Sequence, residues 1–163
     1  MSQRTSEEEI LKQLDLRVKD VMQESPPTVP ADQTVLQAAK AMEEQDSSVA
    51  FAQSQGKVVG IVTERDIARR VVAKGIAPDK TRVNAIMTSP IIVISPETKI
   101  EEALKAMTSN KVRRLPVVDE TGGLAGMVTV ADIARALAEK AGYTSSLITA
   151  MTKESTPPSG VYE

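Results

Sequence analysis

The sequence predicts an α+β fold built from two copies of one β-α-β-β-α unit. Three observations lead to this prediction: the chain repeats itself, the spacing of apolar residues changes between segments within each copy, and a stretch containing Gly and Pro separates the copies. The predicted divisions are an N-terminal extension with a possible helix, repeat 1, a linker, repeat 2, and a C-terminal helix end with a mobile tail, at residues 1–16, 17–74, 75–82, 83–138 and 139–163.

The repeat has an offset of 65 residues early in each copy and 66 residues later. Lys40-Ala41-Met42 matches Lys105-Ala106-Met107 at the first offset, and Asp66-Ile67-Ala68-Arg69 matches Asp132-Ile133-Ala134-Arg135 at the second. Identities that keep one order over two blocks indicate a duplicated structural unit.

Apolar periodicity assigns the elements in order. After a first strand in each copy, apolar residues at i, i+3, i+4 and i+7 from Val35 and from Ile100 predict a helix. Short apolar runs then follow in pairs, with polar and Gly residues between them, which predicts a hairpin in each copy, at 48–52 with 58–62 and at 115–118 with 124–128. A second helix begins near Glu64 in the first copy and near Val130 in the second.

The composition excludes most catalytic chemistry. The chain has no His and no Cys, so it lacks an imidazole base, a thiol nucleophile and the usual zinc ligands. No glycine-rich phosphate loop or dinucleotide fingerprint occurs. We therefore predict that the chain is not an enzyme and holds no metal or cofactor.

Charge and hydropathy argue against two further classes of partner. A formal charge of −2 and three aromatic residues give neither a basic footprint nor a stacking platform for nucleic acid. The apolar stretches are far shorter than the ~20 residues of a membrane span, and the N-terminus lacks the apolar run of a signal peptide. These features predict a cytoplasmic protein without a membrane or nucleic-acid partner.

A series of short motifs, present twice in one order, resembles the cystathionine-β-synthase (CBS) domain family, as a tandem pair or Bateman module covering about residues 17–138. The motifs are Val21-Met22 with Pro26-Pro27-Thr28-Val29, Ile86-Met87 with Pro90-Ile91-Ile92-Val93, Leu115-Pro116-Val117-Val118-Asp119, and Gly60-Ile61-Val62-Thr63-Glu64-Arg65-Asp66-Ile67. The resemblance implies two repeats packed sheet to sheet about a pseudo-twofold axis, two clefts that bind adenosine compounds, and a homodimer of such modules.

The Thr-x-x-Asp pattern occurs at a strand-to-helix junction in both copies, as Thr63 with Asp66 and Thr129 with Asp132. A carboxylate suits the two hydroxyls of a ribose, and a Thr hydroxyl beside a helix start suits a phosphate. The spacing also fits a capping box, in which Thr caps the helix and the Asp reaches back. The family resemblance favours a ligand role for the Asp, and one Thr can serve both purposes.

Adenine recognition is expected to be aliphatic, because the chain has only three aromatic residues and none to spare for the base. The expected walls come from the strand starts and the following strands, with ordinary core packing as the alternative: Thr28, Val29, Ile91, Ile92, Val49, Val112 and Pro116.

Arg113 and Arg114 precede the Leu-Pro-Val-Val motif, where basic residues of the family reach the cleft and can pair with phosphate oxygens. Their expected counterparts in the first copy are Ser47 and Ser48, so one cleft should attract phosphate more strongly than the other. Arg65 is a further phosphate candidate. The alternative is that the two arginines are solvated surface residues.

These features favour a regulatory sensor that binds an adenine nucleotide, AMP foremost and also ADP or ATP, and signals to an effector protein that the sequence does not identify. Two alternatives stay open: a ligand-independent scaffold for protein interactions, and a sensor of S-adenosylmethionine.

Overall fold

The computed structural model describes residues 15–140 and confirms the α+β class, with two three-stranded sheets and helices packed against them. The elements of the first part of the chain are α1 (Val18–Val21), β1 (Gln23–Glu24), β2 (Thr28–Pro30), α2 (Val35–Glu44), β3 (Val49–Ser54), β4 (Lys57–Thr63) and α3 (Glu64–Arg70). Those of the second part are α4 (Val83–Ile86), α5 (Ile100–Ser109), β5 (Arg114–Val118), β6 (Leu124–Thr129) and α6 (Val130–Lys140).

The first sheet has the order β2-β3-β4, with β2 parallel to β3 and β3 antiparallel to β4. The second sheet has the order β1-β6-β5 and is antiparallel throughout. The predicted hairpins are therefore confirmed as β3-β4 and β5-β6. Each has a register shift at the equivalent place, between Ala52 and Gln53 and between Val117 and Val118.

The predicted first strand of the second copy does not form. Residues 91–93 have no strand pairing, and a single parallel bridge joins Ile94 to Val117. In the first copy the same connection is the three-residue strand β2. The predicted β-α-β-β-α order is complete in the first copy, whereas in the second its first strand is reduced to this bridge.

The first helical turn of each repeat packs in the core of the other repeat. Val18 of α1 is fully buried with Ile100 and Leu115 of the second repeat, and its N–H donates to the Thr98 carbonyl oxygen at 2.8 Å. Val83 of α4 is buried in the core of the first repeat, and its N–H donates to the Gln33 carbonyl oxygen at 2.8 Å. The two repeats are thus interlocked, and neither core is complete without the other repeat's chain.

Two glycines make this crossing possible. A Cβ on Gly126 of β6 would lie 2.6 Å from the carbonyl oxygen of Gln23 in β1, and a Cβ on Gly60 of β4 would lie 2.5 Å from Sδ of Met87. Because both distances are below van der Waals contact, the crossing chain can approach these strands only where they lack a side chain.

A third group of apolar residues joins the two sheets. Val49 and Phe51 of β3 pack with Met127 of β6, and both β3 residues are fully buried. The single Phe of the chain thus lies between the repeats and fixes how they sit together.

The short segment after α3 ends at Gly75, whose left-handed φ of 64° closes a 3₁₀ turn before the exposed linker. The possible N-terminal helix and the tail fall largely outside the described residues.

Candidate functional site

The junction between β4 and α3 forms a capping box that also presents a carboxylate. Thr63 Oγ1 accepts a hydrogen bond from the Asp66 N–H at 3.1 Å, and Asp66 Oδ2 accepts from the Thr63 N–H and hydroxyl, both at 2.9 Å. Oδ1 of Asp66 lies 3.5 Å from Nη2 of Arg70. Within residues 15–140 no hydrogen bond reaches this Oδ1, so the capping box leaves one carboxylate oxygen for another partner.

This junction lines a cleft of about 780 Å³ between the two repeats. The first repeat contributes the junction, Ile61 and Ser48, whereas the second contributes the loop around Ile91 and the turn before β5. The cleft volume falls in the range of small-ligand pockets. Both repeats therefore supply apolar and polar side chains to a common space.

The cleft is electropositive. Its lining includes four basic and two acidic side chains, a net charge of +2: Arg65, Lys111, Arg113, Arg114, Glu64 and Asp66. Arg114 is half-buried and donates a hydrogen bond from Nη1 to Oγ of Ser48 at 3.1 Å. Burial lowers the pKa of the Arg114 guanidinium below its ordinary value, Arg113 lowers it further, and Glu64 opposes the shift. A bound anion would relieve this crowding of positive charge.

The structure brings nine of the fourteen candidate residues into this cleft. They are Thr63, Arg65, Asp66, Ile91, Ile92, Val112, Arg113, Arg114 and Pro116. Of the others, Thr28 is exposed on β2 away from the cleft, while Val29 and Val49 lie in the core, 3% and 0% exposed. The sequence analysis placed these two valines at adenine walls, but in the folded chain β3 turns Val49 toward the other sheet.

Thr129 and Asp132 form the equivalent capping box at the start of α6. Asp132 Oδ2 accepts from the Thr129 N–H at 2.8 Å and from its hydroxyl at 2.7 Å. Unlike Asp66, this carboxylate also accepts two hydrogen bonds from Nε2 of Gln23, at 3.0 Å to Oδ1 and 3.1 Å to Oδ2. The two junctions share their local geometry, but within residues 15–140 only the Asp132 carboxylate accepts hydrogen bonds from an amide side chain.

Strand pairing corrects the expected counterparts of the two arginines. Arg114 pairs with Thr129, and Val49 pairs with Thr63, the equivalent capping residue. Arg114 is therefore equivalent to Val49, and Arg113 to Ser48. The extra residue of the second copy lies in the hairpin turn after β5, not before the strand. Pro116 is accordingly equivalent to Phe51.

Several cleft residues were missed by the sequence analysis. They are Lys111, Asn110, Glu64, Thr88, Pro90, Ile61, Leu115 and Ser48. Lys111 ends the turn after α5 with a left-handed φ of 54°, a position equivalent to Asp46 with a φ of 48°. Its basic charge two residues before Arg113 was a signal that could have found it.

Comparison with known proteins decides the family. The model of the CBS domain family matches residues 18–73 and 83–139, which is more than half of the chain. The chain belongs to the CBS domain family. The two matches make it a tandem CBS pair, and the interlocked sheets with their intervening cleft are the two CBS domains of that pair.

Curated relatives support the assignment. The chain is 34% identical over 117 residues to the CBS domain-containing protein YhcV of Bacillus subtilis, covering 72% of this chain and 82% of that protein. It is 38% identical over 104 residues to an uncharacterized protein, MK0525, of Methanopyrus kandleri, covering 64% of this chain and 53% of that protein. The chain thus spans about half the length of some curated relatives.

Solved CBS structures have the same fold. The CBS domain pair of protein MJ0100, in complex with 5-methylthioadenosine and S-adenosyl-L-methionine, matches with a TM-score of 0.67 at 28% identity, covering 77% of this chain and 98% of that one. The CBS domain protein TA0289 of Thermoplasma acidophilum, of unknown function, matches with a TM-score of 0.65 at 27% identity, covering 82% and 72%.

Two kinds of feature are absent from the described part of this CBS pair, residues 15–140. Among the helices within residues 15–140, none has the length and apolar character needed to cross a membrane. In the same part of the chain, no three side chains of His, Cys, Asp or Glu come together as a metal site.

Proposed function

We propose that this CBS pair is a regulatory module that binds one adenine nucleotide in the cleft lined by Asp66 and Arg114. One observation carries the proposal: the Asp66 carboxylate, whose Oδ1 has the Arg70 guanidinium at 3.5 Å but accepts no hydrogen bond within residues 15–140, lines the same 780 Å³ space as four basic and several aliphatic side chains. A ribose, a phosphate and a purine are the three groups that such a set of partners can hold.

Asp66 is the proposed ribose ligand. Its Oδ2 is held by Thr63, which fixes the carboxylate, and Asp66 lines the cleft with an Oδ1 that accepts no hydrogen bond within residues 15–140. An ionised carboxylate accepts hydrogen bonds only, so it pairs with the two hydroxyls of a ribose and not with a carbonyl. The capping box therefore serves as the support that orients the ligand-binding oxygen.

Arg113, Arg114 and Lys111 are the proposed phosphate ligands, with Arg65 at the opposite wall. A nucleoside monophosphate carries about −1.5 to −2 charge near neutral pH, comparable to the net charge of +2 in the cleft. This balance favours AMP, and ADP or ATP can add phosphates along the same basic rim. S-Adenosylmethionine has a cationic sulfonium, which the four basic groups disfavour.

Ile91, Ile92 and Val112 are the proposed walls for the adenine. Ile92 and Val112 are 37% and 38% exposed, unusually accessible for large aliphatic side chains, and both line the cleft. Covering them with a flat purine would remove this apolar surface from water. The base therefore lies against the second repeat while the ribose is bound to the first.

A ligand held in this way bridges the two repeats, and this is how the module would act. The ribose is bound by the first repeat, and the base and phosphate by the second, so a nucleotide stabilises one relative position of the repeats. An effector protein, or a second module in a homodimer, would read that position. The same geometry assigns no catalytic role.

A thermal-shift series with AMP, ADP, ATP, S-adenosylmethionine and GTP tests the proposal. A ligand at 100 times its Kd stabilises the fold by about 2.7 kcal/mol, which raises the midpoint by about 5 °C or more for a chain of this size. We expect AMP, ADP and ATP to raise the midpoint and GTP to have no effect. A larger shift with S-adenosylmethionine would favour that sensor, and no shift with any adenine compound would favour the scaffold.

A further inference from the structure

We infer that Gln23 determines how many ligands the chain binds, because its side-chain amide occupies Asp132 and closes the second cleft. This inference rests on the proposed function in one respect, that the Asp of the Thr-x-x-Asp junction is the ligand-binding group. The chain would then have one open cleft, at Asp66, and one closed by its own side chain, at Asp132.

The two junctions differ in the hydrogen bonds that the Oδ1 atom of each Asp accepts. Asp66 Oδ1 has Arg70 at 3.5 Å and accepts no hydrogen bond within residues 15–140. Asp132 Oδ1 instead accepts from Gln23 Nε2 at 3.0 Å, and Arg135 lies 3.8 Å away. An NH₂ group that donates to both oxygens of one carboxylate takes the positions that two ribose hydroxyls would take.

The backbone pairing of β1 with β6 places the Gln23 amide beside Asp132. Gln23 pairs with Met127 in β1, and Thr88, one repeat later, forms the equivalent bridge with Ile61. Thr88 lines the open cleft, and its hydroxyl accepts from Nη1 of Arg70 at 3.3 Å. The same strand position thus carries a long amide at one cleft and a short hydroxyl at the other.

Burial follows the same difference. The Asp132 side chain is 4% exposed, whereas the Asp66 side chain is 16% exposed. A carboxylate this deeply buried must have its lone pairs satisfied, and Gln23 supplies the donors that Thr129 does not. Removal of the amide would leave Asp132 with unsatisfied capacity that a ligand's hydroxyls can fill.

Charge makes the second cleft unsuitable for a phosphate even when it is open. The positions equivalent to the four basic residues of the open cleft hold Ala131, Asp46, Ser48 and Val49. None of these counterparts is basic, and the basic side chain paired with Asp132 is Arg135, whose Nη1 lies 3.8 Å from Oδ1. The ligand class that fits the opened cleft is an uncharged nucleoside, so adenosine is the suitable probe.

The test is calorimetric titration of adenosine into the full chain and its variants. Wild type should bind one adenosine per chain, whereas Gln23→Ala and Gln23→Thr, the latter with the residue found at position 88, should each bind two. Glu24→Ala, the exposed neighbour in β1, should stay at one. Adding Asp132→Asn to Gln23→Ala should remove the gained site. Circular dichroism shows whether each variant is folded.

The outcomes separate the two proposals. A gain of one adenosine per chain on removing Gln23 supports the inference, even if wild type binds none and the proposed function fails. One adenosine in both wild type and the Gln23 variants overturns the inference and leaves the proposed function standing. Two adenosines in wild type also overturn it, because the second cleft would then be open with Gln23 present.

Discussion

Arg114 donates a hydrogen bond from Nη1 to Oγ of Ser48, 3.1 Å away and in the other repeat. The contact connects the first residue of β5 with the residue that precedes β3, at the cleft between the repeats. Ser48 is a neutral partner for a crowded guanidinium, so the arginine is oriented without being neutralised. An incoming phosphate is a stronger, charged acceptor for the same donors.

Arg114→Ala should therefore weaken AMP binding about 10- to 100-fold, since hydrogen bonds to charged groups contribute about 1.5–3 kcal/mol. Titration calorimetry measures the change. Arg69→Ala is the control, because Arg69 is an exposed arginine of α3 outside the cleft. An equal loss in both variants would mean that net charge alone, not a contact with Arg114, drives binding.

Glu64→Gln should strengthen AMP binding. Glu64 lines the cleft and raises the pKa of Arg114, so its charge lies close to the proposed phosphate position. Removing one solvent-exposed charge of this kind is worth about 0.2–1 kcal/mol, up to about fivefold in Kd. Calorimetry at two salt concentrations checks this, because the gain should shrink as salt screens the charges. Weaker binding by Glu64→Gln would contradict the proposed phosphate position.

Gly126→Ala should destabilise the fold by about 1–3 kcal/mol, as overpacking does elsewhere. The new Cβ would meet the Gln23 backbone oxygen at 2.6 Å, and a backbone strand cannot move aside without breaking the β1-β6 pairing. Gly60→Ala should cost less, because its nearest atoms belong to the flexible Met87 side chain. Urea denaturation measures both, and an equal or reversed order would count against the interlocked arrangement.

The hairpin turn after β5 predicts a pH effect. Asp119 accepts hydrogen bonds from the Thr121 hydroxyl at 2.6 Å and the Thr121 N–H at 2.8 Å, and these lower the pKa of the Asp119 carboxyl. Because the folded-state pKa lies below the unfolded value, the stabilisation is present above the unfolded pKa. It is lost as the pH falls through the folded one.

Thr121→Ala should raise the pKa of Asp119, because it removes the side-chain hydrogen bond, the largest cause of the shift. An NMR titration that follows the Asp119 carboxyl carbon measures this directly. An unchanged Asp119 pKa would show that the hydroxyl contact does not govern the turn.

The sequence alone predicted the helices and capping boxes, which depend on residues close together in the chain. Helical spacing from Val35 and Ile100 gave the two longer helices that begin there, and the Thr-x-x-Asp spacing predicted both capping boxes. These patterns depend on contacts three or four residues apart, which the order of residues specifies directly. The ligand role of Asp66 remains a prediction.

The sequence did not predict contacts between residues that lie far apart in the chain. Gln23 meets Asp132 across 109 residues, and nothing near Gln23 indicates that β1 pairs with the strand of the other repeat. The sequence also did not show where the extra residue of the second copy lies. The identities before and after the hairpin fit an insertion at any position between them. Only the pairing of Arg114 with Thr129 locates it in the turn. The burial of Val49 against Met127 of the other repeat is likewise a contact between distant parts of the chain.

The central claim is that Asp66 binds the ribose of an adenine nucleotide, and Asp66→Asn tests it most directly. Asn keeps a side-chain oxygen for the helix cap but removes the charge that accepts the hydroxyls. Asp20→Asn is the matched control, since Asp20 likewise accepts from an N-cap N–H, that of Arg17 at 2.8 Å, and lies outside the cleft. Calorimetry with AMP should show at least a tenfold loss for Asp66→Asn and wild-type affinity for Asp20→Asn, and an unchanged AMP isotherm in Asp66→Asn would contradict the claim.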